Sequence, residues 1–180
     1  MNHLDHVNLL RNGVPRPGAG GDTVWADFGS GTGAFTLALA DLLGPSVTIH
    51  SIDRDRSALQ RQKQALRSRF PQVTTHYHPI DYAQQLDLPT LDGLVIANAL
   101  HFQENKQPVV ELLRTYLRSG GRFIIVEYDT DRGNRWVPFP ISYARWQQLA
   151  RRCGLSDATL LHRRPSRFLG SIYAAACTNP

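Results

Sequence analysis

Asp27-Phe28-Gly29-Ser30-Gly31-Thr32-Gly33 joins a carboxylate to three alternating glycines, between a strand-like run and a helix-like run. Val24-Trp25-Ala26 before it suits a strand, and apolar residues recur at helical spacing after it through Phe35, Leu39, Leu42 and Leu43. The glycines therefore stand where a strand becomes a helix. Without Cβ atoms the backbone can turn sharply there, and a ligand can approach both the main chain and the helix N-terminus. The segment predicts a cofactor-cradling turn, with Asp27 deciding which charge of ligand it admits.

Working outward, the alternation repeats. Gly44-Pro45 ends the helix, and Val47-Thr48-Ile49-His50-Ser51-Ile52 alternates as a second strand closed by Asp53. Asp55 is placed to cap a helix that carries Leu59, Leu66 and Phe70 inward and stops at Pro71. Val73 to Tyr77 reads as a third strand closed by Pro79-Ile80-Asp81, and Leu94-Val95-Ile96-Ala97 as a short strand buried on both faces. A helix from about residue 108 to 117 is expected to end at Ser119-Gly120-Gly121. Phe123-Ile124-Ile125-Val126 is the clearest buried strand, and Ser142 then caps a helix that runs to Cys153. Ala158 to His162 and Ser171 to Ala176 look like two strands joined by a polar turn. Strand and helix alternate up to this final pair, an order that predicts a doubly wound, mostly parallel α/β sheet with helices on both faces.

The 180 residues, 42% hydrophobic and 19% charged, suit one globular domain with a substantial core. Pro15, Pro17, Gly18, Gly20 and Gly21 predict that residues 1–22 form a short helix and a flexible lead-in or lid, leaving 23–180 as the domain proper. No apolar stretch follows Met1, and no run approaches the roughly 18 apolar residues that cross a bilayer, so a cytoplasmic protein without a membrane partner is expected. Two cysteines, Cys153 and Cys177, are too few for a disulfide framework or zinc cluster and read as buried thiols. The net charge of +5 would suit an acidic partner such as nucleic acid, but the arginines are scattered and no aromatic residues interleave with them.

In a sheet of this kind ligands bind outside the carboxyl ends of the strands, at the switch point of strand order. Asp27, Asp53, Asp81, Asn98 to His101, and Glu127-Tyr128 all fall at predicted strand ends. Asp53 lies at the distance beyond the glycines where a carboxylate meets ribose hydroxyls, which points to a nucleoside-containing cofactor. The glycine loop by itself fits a dinucleotide or S-adenosylmethionine. Asp27 separates the two, because a carboxylate beside the loop repels a pyrophosphate and suits a cation.

Together these residues resemble the core of the class I S-adenosylmethionine-dependent methyltransferases, over about residues 23 to 128. The resemblance implies a Rossmann-like fold with a seven-stranded, mostly parallel sheet and an antiparallel C-terminal strand, and S-adenosylmethionine as cofactor. It implies that the loop Asp27, Gly29, Ser30, Gly31, Thr32 and Gly33 surrounds the methionine part of the donor. Asp53 would hold the ribose with Arg54 beside the adenine, and Asp81-Tyr82 would read the adenine amino group. Asn98-Ala99-Leu100-His101-Phe102 would lie where the methyl meets its acceptor. Asn98 is followed by Ala99 and Leu100 rather than by two prolines and an aromatic residue, a departure from the pattern of nucleobase and glutamine N-methylation that favours a small-molecule acceptor.

Methyl transfer is an in-line displacement, so positioning and exclusion of water count most. His101 is the candidate base should the acceptor have to lose a proton. Phe102, Glu127, Tyr128 and Arg135 are candidate acceptor contacts, Arg135 for an acidic one. His76-x-His78 places two rings on one strand face, but no third ligand is evident nearby and no metal is expected. The rival functions are a nicotinamide-dependent oxidoreductase and a noncatalytic module of the same fold that binds RNA or protein.

Overall fold

The computed structural model describes residues 1–15 and 22–180. The lead-in expected around Pro17 to Gly21 lies outside the described residues except at its edges. Ahead of it, helix α1 (His3–Leu10) opens with a capping box in which Asn2 and Asp5 satisfy each other's backbone N–H groups. Its Val7, Leu9 and Leu10 are buried against the same core as Trp25, Phe35 and Leu39, so α1 is part of the fold. The Arg164 guanidinium meets Asp5 at 2.6 Å and fastens α1 to the C-terminal strands.

The chain then alternates as the sequence predicts, except that β3 passes to β4 without a helix: β1 (Thr23–Phe28), α2 (Ala34–Leu43), β2 (Val47–Ile52), α3 (Arg56–Arg69), β3 (Thr74–His78) and β4 (Leu91–Ala97). A short 3₁₀ turn at Leu100–Phe102 leads to α4 (Gln107–Thr115), β5 (Leu117–Tyr128), α5 (Tyr143–Arg152), β6 (Thr159–Ser166) and β7 (Gly170–Thr178). The seven strands form one sheet in the order β3-β2-β1-β4-β5-β7-β6. The first five are parallel, and β7 runs antiparallel to both β5 and β6. This is the Rossmann-like methyltransferase architecture that the resemblance implies. The order reverses between β1 and β4, which opens a crevice at their carboxyl ends.

Successive strand residues face opposite sides. Trp25, Ile49, Val95 and Ile124 pack toward α1 and α2, whereas Phe28, Ile52, Leu94, Ile96, Phe123 and Ile125 pack toward α4 and α5. Both faces are covered, which is why the central strands read as unbroken apolar runs.

Two local expectations need correction. Ser119-Gly120-Gly121 does not stop α4, which ends at Thr115. The residues instead lie inside a longer β5. Between the pairs Leu91↔Leu117 and Gly93↔Arg122, β4 advances two residues and β5 five, and Gly120 takes the left-handed φ of 72° that this excursion requires. Its ends are held by Asn179, whose C=O accepts from the Gly120 N–H at 2.7 Å and whose N–H donates to Gly121 at 3.0 Å.

His76 and His78 do have a third partner nearby. His50 stands in register beside His76, with ring centroids 5.0 Å apart, and its Nδ1 lies 3.0 Å from the Nε2 of His78. The His50 ring lies nearly parallel to those of His76 and His78, at 25° and 21°, and among the described residues no group of three side chains is arranged to hold a metal. Burial, then the charges of His78 and His76, push the His50 imidazole down to about 4. The depressed value means that stability is complete above the ordinary histidine range and is lost as pH falls from about 6.5 toward about 4, by roughly 2–3 kcal/mol. Replacing His50→Val is expected to remove most of that slope. Denaturant melts at about pH 5 and about pH 7.5 check it, and an unchanged slope would assign acid sensitivity elsewhere.

Candidate active site

The glycine loop runs directly off β1 into α2, and three of its residues occupy left-handed backbone: Gly29 (φ 74°), Gly31 (φ 53°) and Gly33 (φ 88°). Two of these positions have no room for a side chain. A Cβ on Gly29 would come within 2.5 Å of the Ala99 methyl, and one on Gly33 within 2.3 Å of Gln62 Cγ. The loop is tied to β2 by Gly29 and Ser30 N–H groups, which donate to the Ile52 carbonyl at 2.9 and 3.0 Å. It is tied to Asp53 by the Gly31 N–H at 2.7 Å.

A cleft of about 330 Å³ opens above this loop, within the range of small-molecule sites. Gly29, Asp53, Arg54, Asp81, Tyr82, Asn98, Ala99, Phe102 and Gln103 line it. All but Gln103 are residues that the sequence singles out. Gln103 reaches Tyr82 Oη with its Nε2 at 3.3 Å, and Tyr82 in turn donates to the Ala99 carbonyl at 2.7 Å. The phenol is buried, and burial raises its pKa above the ordinary value, so it stays a donor at physiological pH. Its bond joins the segment after β3 to the segment after β4, and so sets the width of the cleft.

Asn98 is the one non-glycine residue with positive φ, at 50°, among the described residues. Its Oδ1 is buried and accepts no hydrogen bond there. Asparagine enters this left-handed region more readily than most residues, and the orphaned acceptor is the cost that a donor reaching it would relieve. Asp53 accepts from Gly31 N at 2.7 Å and from Asp55 N at 2.8 Å, one bond to each carboxylate oxygen, and each oxygen retains a free lone pair. Asp81 spends Oδ1 on the Ala83 N–H at 2.9 Å. The wall therefore presents two carboxylates, acceptors suited to ribose hydroxyls, an amino group and a cation rather than to a pyrophosphate.

Other expected residues lie elsewhere. Asp27 is 1% exposed and does not line the cleft; it sits beneath the loop, where Thr36 Oγ1 donates to its Oδ2 at 2.6 Å. Burial raises its carboxyl to about 7, against the opposing effect of the Thr36 hydroxyl and backbone N–H and with a further upward push from Asp53. Ser30 and Gly33 are buried within the loop, and Thr32 is exposed. Arg135 is exposed in the segment between β5 and α5.

His101 is held by Glu127, the last but one residue of β5. Glu127 Oε1 accepts from the His101 backbone N–H at 3.1 Å, and Oε2 lies 2.8 Å from His101 Nδ1. A carboxylate can only accept, so opposite an ionised Glu127 it is Nδ1 that carries a hydrogen, and the tautomer with a lone pair at Nε2 is the neutral form this contact selects. Glu127 has no exposed surface, which leaves it nothing to offer an acceptor directly; it acts on His101. Phe102 stands 4.4 Å from the His101 ring, Tyr128 6.4 Å from it, and the Phe139 N–H donates to the His101 carbonyl at 3.0 Å. Phe102 is 56% exposed at the mouth of the cleft.

A seven-stranded sheet of this order, with a glycine cradle at its switch point and acidic ends on β2 and β3, defines the class I methyltransferases. A family model described as a methyltransferase domain matches residues 21–158, and the chain belongs to that family. The N-methyltransferase NodS from Bradyrhizobium japonicum WM9, in complex with S-adenosyl-L-homocysteine, is similar with a TM-score of 0.74 and 21% identity, over 98% of this chain and 86% of that one. Phosphoethanolamine N-methyltransferase 2 from Haemonchus contortus, in complex with S-adenosyl-L-methionine, matches with a TM-score of 0.76 and 11% identity, over 98% of this chain and 52% of that one. CrArsM, an arsenic(III) S-adenosylmethionine methyltransferase from Chlamydomonas reinhardtii, matches with a TM-score of 0.73 and 14% identity, over 93% of this chain and 66% of that one. The chain thus spans about half the length of the Haemonchus protein and most of NodS. No protein of curated function matches its sequence. At these identities the structural likeness establishes the fold. None of the helices among the described residues is long and apolar enough to cross a membrane.

Proposed function

We propose that this chain transfers the methyl group of S-adenosylmethionine to a small-molecule acceptor, acting as one domain of residues 23–180 with α1 packed onto its core, in the cytoplasm. The observation that carries this reading is the acceptor-rich cleft over the glycine loop, which Asp53, Asp81 and Asn98 line together. Asp53 would hold the ribose and Asp81 with Tyr82 the adenine, Arg54 beside it, while Asn98 and Ala99 would border the methionine part. The donor supplies a methyl on a positively charged sulfur, ready for in-line displacement. The chain's contribution is then to place the acceptor, exclude water and, where a proton must leave, remove it.

His101 is the residue proposed for that last task, through Nε2, with Glu127 fixing its tautomer and Phe102 and Tyr128 flanking it; the ring is 3% exposed and does not itself line the cleft, standing behind Phe102, which does. The same fold serves nitrogen in NodS and arsenic(III) in CrArsM, so the side chains at the ends of β4 and β5, together with Arg135 in the following segment, would decide the acceptor.

Calorimetric titration with S-adenosylhomocysteine and with NAD tests the donor. Binding of the first and not the second is expected, and NAD binding alone overturns the reading. Replacing Asp53→Ala is expected to weaken S-adenosylhomocysteine binding by roughly 1–3 kcal/mol, because ribose hydroxyls and the Gly31 N–H lose one shared acceptor. Unchanged affinity in a folded variant would show that the ribose lies elsewhere.

A further inference from the structure

Beneath the cleft lies a polar ring that the proposed chemistry has not used. Gln62 of α3 has no exposed surface, although it is a large polar residue. Its Nε2 donates to Thr36 Oγ1 of α2 and to Ser51 Oγ of β2, both at 2.7 Å. Ser51 donates to Ser30 Oγ in the glycine loop at 2.8 Å, and Ser30 donates back to Gln62 Oε1 at 3.2 Å. Every donor and acceptor of the Gln62 amide is occupied, so the buried polar group is satisfied and the ring is rigid. The Gln62 stem also fills the space above Gly33 where a Cβ would stand. Helix α3, helix α2, strand β2 and the loop are thereby locked at one point.

The ring has a direction. Thr36 has one hydroxyl proton; because its oxygen receives the Gln62 N–H, that proton is left for Asp27 Oδ2, at 2.6 Å. The reversed amide would demand the Thr36 proton for itself and would leave Asp27 to donate one. Asp27 therefore remains an acceptor as long as Gln62 holds Thr36 in this sense. Around Asp27, Thr36, Gln62, Ser51 and Ser30 are neutral, as is Val95, its register partner on β4. Asp53, on the cleft wall, is the ionisable group whose charge reaches it. A cation bound over the same loop acts on Asp27 with the opposite sign to Asp53.

We propose that Gln62 is a positioning residue for the donor: its amide locks the glycine loop and turns the Thr36 hydroxyl toward Asp27, a hydrogen bond that favours the charged form of the carboxylate beneath a cationic ligand. The inference rests on S-adenosylmethionine being that ligand. Its distinguishing consequence is discrimination between the cationic donor and the neutral product, S-adenosylhomocysteine, which share every contact except the charged sulfur and its methyl.

The test is calorimetric titration of each ligand into wild type, Gln62→Leu and Thr36→Val at about pH 6 and about pH 8, with thermal melts to verify folding. In wild type the affinity ratio of donor to product is expected to rise with pH. In both variants that ratio falls about tenfold relative to wild type at about pH 8, and its pH dependence flattens, the change expected when one unit charge is lost near the ligand. Gln62→Leu also weakens product binding by loosening the loop, whereas Thr36→Val leaves product affinity within about threefold, because the Gln62–Ser51–Ser30 part survives. A merely structural role would weaken both ligands together and leave the ratio alone. If Gln62→Leu does not fold, Thr36→Val decides the question. Wild type that binds neither ligand overturns the donor reading and this proposal with it. Normal binding with a wild-type ratio in the folded variants overturns this proposal alone.

Discussion

Replacing Asp27→Asn is expected to stabilise the ligand-free protein at about pH 8 by about 1–3 kcal/mol while weakening S-adenosylmethionine binding about tenfold. The carboxyl of Asp27 stands at about 7 in the folded chain against 3.8 as its ordinary value. Its stabilising contribution is therefore complete below about pH 4 and is lost as pH rises through about 7. Above that point the fold must bury a charge that the unfolded chain leaves in water. The raised value sets the penalty at no more than about 4 kcal/mol, and burying the new amide N–H₂ consumes part of the gain. Asparagine can still accept from Thr36, so the local geometry survives. Denaturant melts should show the gain at about pH 8 and its decline toward about pH 4. Destabilisation at about pH 8 would mean that the ionised carboxylate stabilises the fold in its own right. Stability gained together with donor affinity lost would mark Asp27 as a group kept for binding at a cost to folding.

How much of this was legible in the sequence differs by element. The strand and helix alternation could be read because each element carries its own periodicity and its own cap. Asp55 accepts from the Ser57 and Ala58 N–H groups and Ser142 from that of Arg145, as their positions suggest. The polar strand ends converge in part: Asp53, Asp81, Asn98 and Ala99 meet at one cleft, whereas Asp27, His101 and Glu127 are buried off its lining.

What escaped was the depth of particular side chains. Asp27 looks like a ligand-facing group in sequence, yet a strand end adjoining a tight turn can point its side chain into the protein, and here it lies under α2. Gln62 is one of many polar residues in Arg56-Ser57-Ala58-Leu59-Gln60-Arg61-Gln62-Lys63, and only helical phase against Leu59 and Leu66 hints that it faces inward. His50 and the pair His76 and His78 are far apart in sequence, and parallel pairing of β2 with β3 brings them side by side. The glycines at 120 and 121 signalled a helix stop, because a bulge in a strand and a helix terminus ask for the same backbone freedom.

Glu127→Gln is expected to lower turnover about 100- to 10,000-fold with any acceptor that must lose a proton, while leaving S-adenosylhomocysteine affinity within about twofold. Both oxygens of Glu127 now accept, one from the His101 backbone N–H and one from Nδ1–H. An amide has one oxygen. If it keeps the backbone N–H, its own N–H₂ faces Nδ1, and the imidazole must offer Nδ1 as acceptor and move its hydrogen to Nε2. That tautomer cannot take a proton at Nε2, and so the ring remains in place but fails as a base. His101→Gln should cost about as much, and the double variant hardly more than either alone, because the two side chains act as one unit. Screening acceptors for S-adenosylhomocysteine release supplies the substrate for this measurement. Wild-type turnover in a folded Glu127→Gln would remove His101 from the chemistry and leave the cleft to act by placement alone.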